Sequence, residues 1–125
     1  MKKIILSAQA PAPIGPYSQA TEINGLLFCS GQIALDPETG NVVAGDVRTQ
    51  TEQVMKNIEA VLSVAGYNFS QVVKTTIFLT DMKDFAIVNE IYGRYFPANP
   101  PARSTIAVAG LPKGVQVEIE VIASR

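Results

Sequence analysis

Residues 115–123 read VQVEIEVIA, and the stretch alternates without a break. Val115, Val117, Ile119 and Val121 fall on one side, Gln116, Glu118, Glu120 and Ile122 on the other. Strict alternation marks a strand with one apolar face, because successive side chains of an extended chain point in opposite directions. Such a strand needs a cover on its apolar side, which the rest of the chain must supply. On the second side two carboxylates stand about 7 Å apart, the two-residue repeat of a strand. A solvated outer face is the plain reading of that pair, and a chemical site is the other.

Upstream, ARSTIAVAG (102–110) reads as a second strand, joined to the first by LPKG. QVVKTTIFLT (71–80) is rich in β-branched residues and reads as a strand covered on both faces. KKIIL is a short first strand, and SAQAPAPIGPYSQA, with three prolines, is an irregular entry segment. TEINGLLFCSGQIAL (21–35) holds two strands turning at Asn24-Gly25, the dipeptide favoured in a type I′ hairpin.

From Asp46 the period changes. Val47, Thr51, Val54, Met55, Ile58, Val61, Leu62 and Ala65 form one helical stripe, with Asp46 as N-cap and Gly66 just past the end. A second helix, capped by Thr80 or Asp81, carries Phe85, Val88, Ile91, Tyr92, Tyr95 and Phe96 inward and ends at PANPP. The order βββ-α-β-α-ββ predicts an α+β fold: one mixed six-stranded sheet with both helices packed on one face. The other sheet face is left without a cover.

A chain of 125 residues fits one domain, residues 1–125. With 47% apolar and 17% charged residues it is a folding composition, lean in charge for so small a surface. Part of that surface is therefore expected to be buried against another copy. A net charge of −1, with ten scattered basic residues, offers no nucleic-acid footprint. The single Cys29 excludes an intramolecular disulfide and points to a reducing compartment. MKKIILSAQA imitates a secretion signal, but its apolar run, Ile4 to Leu6, is too short. No run approaches the roughly 20 apolar residues of a membrane span, so a cytoplasmic location is expected. Histidine is absent, which removes any Ser-His-Asp or Cys-His system and any histidine-based metal site. Chemistry here falls to carboxylates, arginine, tyrosine, hydroxyls, backbone amides and water.

Arg103 opens a strand after Pro100-Pro101-Ala102, where a guanidinium fork can grip a carboxylate or simply face solvent. Glu118 and Glu120 sit on the next strand. If the two strands are neighbours, Arg103 and one glutamate share a face, as a salt bridge or as a binder beside a base. Tyr17 follows Pro16 in a rigid segment that can hold its hydroxyl over a cleft. Ser30-Gly31 ends a strand where a backbone amide can meet a substrate oxygen. Asn89 interrupts the apolar run of the second helix and is either a surface position or a group reaching a neighbouring subunit. Cys29 reads as a small buried hydrophobe, since no adjacent base activates it.

Singly these signals are unspecific, but together they resemble a known family. APIGPYSQA, CSGQIAL, VVKTTIFLTDMKDFAIVNEIYGRYF and PPARSTIAVAGLPKGVQVEIEVIA look like the RidA (YjgF-type) reactive intermediate deaminases, nearly end to end. The most specific part is P-A-R-S followed by V-E-I-E.

The resemblance implies a chorismate-mutase-like α+β fold and a homotrimer, with three clefts between subunits and the bare sheet faces turned toward a central barrel. It implies hydrolysis of enamines and imines, such as 2-aminoacrylate and its imine tautomer, to 2-oxo acids and ammonia, without metal or cofactor. By the same resemblance Arg103 grips the substrate carboxylate and Glu118 positions or deprotonates the attacking water. Tyr17 stands beside the substrate, and Ser30 and Gly31 line the pocket. Thr105 departs from the pattern, because many relatives carry a cysteine two residues after the arginine, near the substrate. Asn89 and Thr105 complete the expected substrate-binding set. Glu120, one pleat along, is expected in trimer contacts. A second class of function is also consistent: a non-enzymatic trimer that binds 2-oxo acids and related carboxylates as a regulator.

Overall fold

A computed structural model describes residues 1–125. Its strands are β1 (Lys3–Ile5), β2 (Ala20–Ile23), β3 (Leu26–Cys29), β4 (Val72–Leu79), β5 (Ala102–Ala107) and β6 (Val117–Ser124); its helices are α1 (Val47–Val64) and α2 (Phe85–Gly93). All six strands form one mixed sheet in the order β1-β2-β3-β6-β4-β5. Neighbours are antiparallel except β4 and β5. That pair is parallel because α2 carries the chain back across the sheet between them, which parallel pairing requires.

The alternation of 115–123 sets the layers. Val115, Val117, Ile119 and Val121 are all 1% exposed or less. Val117, Ile119 and Val121 pack with Ile77 and Leu79 of β4 beneath Val54, Met55, Ile58, Val61 and Leu62 of α1 and Val88 and Tyr92 of α2. The α+β architecture with both helix stripes on one face is thus the one the sequence pattern predicts.

Local signals fix the ends of the elements. Asn24 and Gly25 both take positive φ (52° and 77°), as a type I′ hairpin demands. Asp46 caps α1 by accepting the Thr49 N–H at 3.1 Å. At the far end Gly66 (φ 82°) donates to Ser63 O and Tyr67 to Leu62 O, the paired hydrogen bonds of a Schellman motif.

Two expectations need correction. β4 is covered on one face only: Thr75, Ile77 and Leu79 are buried, whereas Lys74, Thr76 and Phe78 are half-exposed. Its β-branched composition carried no information about the second face. The second helix also ends sooner than its stripe. Asp81 caps a 3₁₀ turn (Met82–Asp84), α2 stops at Gly93, and Tyr95 and Phe96 lie beyond it. Phe96 stays buried because its ring stacks on Tyr92, with centroids 4.7 Å apart. Tight turns and aromatic packing replace the last helical turn.

The uncovered face carries Ile4, Leu26, Phe28 and Ile106, which are 37–55% exposed. No helix is long and apolar enough to cross a membrane.

Candidate functional site

Glu118 is placed by β6, on the face away from the helices. Its neighbour across the ladder is Phe78 of β4, and Phe78 in turn faces Ile106 of β5. Residues 30–33 run alongside β6 because Gln32 and Ile119 exchange both backbone hydrogen bonds, at 2.8 and 3.1 Å. This lays the Glu118 carboxylate directly on Gly31. A Cβ at position 31 would occupy the space of Glu118 Oε2 and crowd Cδ and Cγ as well, so the site needs glycine there for room.

Ser30 and Gln19 hold the third wall. The Ser30 N–H donates to Gln19 O at 2.9 Å, and its hydroxyl donates to Ser18 O at 2.6 Å. The fully buried Gln19 side chain donates to Ser7 O and Pro11 O and accepts the Ser7 N–H, tying the proline-rich entry segment to the sheet. Tyr17, half-exposed on that segment, accepts the Ile14 N–H on its hydroxyl at 3.4 Å. Together these walls enclose a cleft of about 660 Å³ containing Tyr17, Ser30, Gly31, Lys113, Glu118 and Glu120.

Burial raises the Glu118 pKa above the ordinary carboxylate value, and the Glu120 charge beside it raises it further. No cation pairs with Glu118, since the three ion pairs of the chain use other groups. A half-buried, unpaired carboxylate on a cleft is the environment of a general base. Glu120 lines the same cleft rather than standing apart from it.

Arg103 lies elsewhere, which corrects the expectation that it shares a face with a glutamate. β4 separates β5 from β6, and Arg103 pairs with Thr75, which pairs with Val121. Paired residues share a sheet face. That row points toward the helices, whereas Glu118 points away. Arg103 therefore belongs to a second, smaller hollow of about 310 Å³ with Tyr92, Pro100 and Pro101. Its guanidinium lies 5.4 Å and 5.2 Å from the ring centres of Phe85 and Tyr92, within cation–π range. It donates to Asn89 Oδ1 at 2.6 Å. It has no acidic partner, so donors of its fork remain free for an anion.

Asn89 is thus the residue that aims Arg103, a role its place in the helix pattern did not reveal. Thr105 follows two residues along the same face, and its hydroxyl is buried without a hydrogen-bond partner. Such an orphan costs about 1–3 kcal/mol unless a group from outside the chain meets it. Cys29 is buried, and desolvation pushes its thiol pKa up to about 12, as a small hydrophobe requires.

The seven candidate residues therefore sort into two half-sites. Tyr17, Ser30, Gly31 and Glu118 line one cleft, while Arg103, Asn89 and Thr105 belong to the other sheet face and the middle of α2. Lys113 and Glu120 join the first cleft without having been singled out as site residues. Nothing in the sequence pattern marks Lys113, because an exposed lysine in a turn is common. No group of three or more Cys, Asp or Glu side chains comes together in a way that could hold a metal.

Comparison with known proteins adds a family to this geometry. The family described as Endoribonuclease L-PSP matches residues 7–125. The chain is 49% identical over 123 residues to the mouse 2-iminobutanoate/2-iminopropanoate deaminase, covering 98% of this chain and 91% of the relative. It is 53% identical to the chloroplastic Reactive Intermediate Deaminase A of Arabidopsis thaliana, covering 98% of this chain and 66% of that one. Among solved structures, the Rid-family protein YyfA from Yersinia pestis superposes with a TM-score of 0.97 at 52% identity, over the whole of both chains. Profile, identity and superposition agree across nearly the full length, so this chain belongs to the Endoribonuclease L-PSP family, the RidA/YjgF group that includes the reactive intermediate deaminases.

Proposed function

We propose that the protein hydrolyses enamine and imine intermediates, such as 2-aminoacrylate and 2-iminopropanoate, to 2-oxo acids and ammonia, at clefts between subunits of a homotrimer. The observation that carries this reading is the division of the site. One half has a carboxylate with raised pKa and no cation, and the other has an arginine with no acid. Each half lacks what the other holds. They lie on opposite faces of one sheet, so one chain cannot close them on a single small substrate, whereas two chains can. The bare face with Phe28 and Ile106, the low surface charge and the orphaned Thr105 hydroxyl all favour such an assembly.

Arg103 binds the substrate carboxylate, held in place by Asn89 and the two aromatic rings. Glu118 takes a proton from a water as the water oxygen bonds to the imine carbon, and passes it to the imine nitrogen, giving a neutral tetrahedral carbinolamine. Glu118 then takes the carbinolamine hydroxyl proton as the C–N bond breaks with its electron pair going to nitrogen. That second proton is returned to the departing nitrogen, so ammonia leaves and the carbon is left as the ketone of a 2-oxo acid. Water supplies the oxygen, and no electrons change hands. A carboxylate whose proton affinity is raised by burial suits both transfers better than one at its ordinary pKa. The family description names an endoribonuclease, but a net charge of −1 with scattered basic residues gives RNA no stripe to follow.

The test generates the imine with an amino-acid oxidase and follows capture of surviving imine by semicarbazide. Wild type reduces the capture, and Arg103→Ala and Glu118→Ala each abolish that effect. Mixed and refolded together, the two variants regain up to about a quarter of the wild-type rate, because random trimers rebuild one intact cleft in four. Failure of the mixture to recover, with wild type active, rules out the shared cleft. An inactive wild type that still binds 2-oxo acids leaves the regulator reading instead.

A further inference from the structure

The Glu118 cleft poses an electrostatic problem for the reaction proposed above. Its substrate is a carboxylate anion, yet two carboxylates, Glu118 and Glu120, line the cleft. In the proposed trimer a neighbouring subunit's Arg103 offsets them once the substrate is seated, but the chain's own Arg103 lies on the far side of the sheet and gives an approaching anion no help. Among the residues lining the Glu118 cleft the only cation is Lys113. None of the three ion pairs uses it; they are made by Arg48, Arg94 and Arg125.

The backbone at Lys113 is unusual. It has φ 56° and ψ 20°, the left-handed region that few residues other than glycine enter without cost, and Gly114 follows at φ 68°. The turn is closed by Gly114 N–H to Leu111 O at 3.1 Å and Val115 N–H to Pro112 O at 3.3 Å. Pro112 fixes the chain on one side, and Val115, 1% exposed, anchors it on the other. A side chain on a strained, doubly hydrogen-bonded turn is delivered to one region of space. Here that region is the rim of the cleft. Backbone strain of this kind gathers at ligand-binding positions.

We infer that Lys113 is a substrate-binding residue of the Glu118 cleft, drawing the carboxylate of a 2-imino or 2-oxo acid past the two glutamates and orienting it for Arg103. The inference deepens the deaminase reading and rests on its anionic substrate. Because it concerns recognition of an anion, it is tested separately from turnover.

The probe is pyruvate, titrated at low and at physiological ionic strength against the full-length wild type, Lys113→Asn and Lys113→Arg. Asparagine tolerates the left-handed backbone, so the first variant removes charge without adding strain. Binding by Lys113→Asn weakens about fivefold at low salt, as loss of one solvent-exposed charge contact implies. Lys113→Arg restores most of it, and the salt dependence of binding flattens in the asparagine variant. In the imine assay kcat/KM of Lys113→Asn falls in parallel while kcat stays close to wild type, the signature of binding rather than chemistry. Equal pyruvate affinity and equal salt dependence in wild type and Lys113→Asn, or no pyruvate binding by wild type, would overturn the inference and leave Lys113 an ordinary solvated lysine. Lys113-dependent binding in a protein that fails to hydrolyse any imine supports the inference and defeats the deaminase reading instead.

Discussion

Two glutamates on the same sheet show how differently one side chain can be used. Glu22, on β2, accepts from the Tyr67 hydroxyl at 2.6 Å and pairs with Arg125 at 2.5 Å. Arg125 also lies 4.2 Å above the Tyr67 ring and donates to Ala65 O at the end of α1. The Tyr67 hydrogen bond first, and then Arg125, hold the Glu22 pKa below the ordinary carboxylate value. Glu118 is the reverse case. No donor or cation meets it, and burial first, then Glu120, raises its pKa. The satisfied carboxylate clasps the C-terminus to the sheet and helix. The unsatisfied one stands in a cleft, where its proton affinity is available for chemistry.

The two also respond to pH with opposite sign. A depressed pKa means that ionised Glu22 favours the folded state above the unfolded pKa, and that this contribution is lost as pH falls through the lower folded value. A raised pKa means that ionised Glu118 opposes folding at neutral pH, and that this cost is relieved as pH falls through the raised folded value.

The strongest break of the contrast is Glu118→Gln. Loss of a general base costs about 10²–10⁴-fold in kcat. The melting temperature at neutral pH stays level or rises, because an uncompensated charge has gone. Steady-state rates and a thermal melt on one preparation check both arms, and a large drop in melting temperature would show that Glu118 is structural.

Gly31→Ala comes next. The new methyl displaces the Glu118 carboxylate while leaving it chemically intact, and a misplacement on the order of 1 Å can cost about 10²-fold in rate. The variant folds, as circular dichroism will show, because the carboxylate end of Glu118 can swing toward the open cleft. Unchanged turnover would mean that Glu118 acts from another position.

Glu120→Gln has a smaller effect. Removing the neighbouring charge lowers the Glu118 pKa, so the acidic limb of the pH–kcat/KM profile moves to lower pH. A profile that does not move would mean that solvent screens the pair. Smallest is Glu22→Gln. It lowers the melting temperature slightly at neutral pH and leaves kcat/KM unchanged, and its deficit against wild type shrinks as the solution is acidified below the ordinary carboxylate pKa. A change in kcat/KM would show that the clasp reaches the cleft.

Sequence by itself determined the elements whose cause is local. Alternation in 115–123 gave β6 its buried face, Asp46 and Gly66 bounded α1, and Asn24-Gly25 closed the hairpin. These rest on backbone geometry and hydrogen bonds within a few residues, so the residues at hand suffice. The resemblance put Glu118, Tyr17, Ser30 and Gly31 in one site with Arg103, Asn89 and Thr105, and within one chain only the first four share a cleft.

The order of the strands was decided only in three dimensions. β5 and β6 are consecutive in sequence, yet β4 lies between them, because β4 pairs in parallel with β5 through the α2 crossover and antiparallel with β6 along seven residue pairs. Periodicity tells a strand which face is apolar but not which strand will be its neighbour. Neighbours are chosen by long-range packing of the whole core, and that choice puts Arg103 and Glu118 on opposite faces of one sheet.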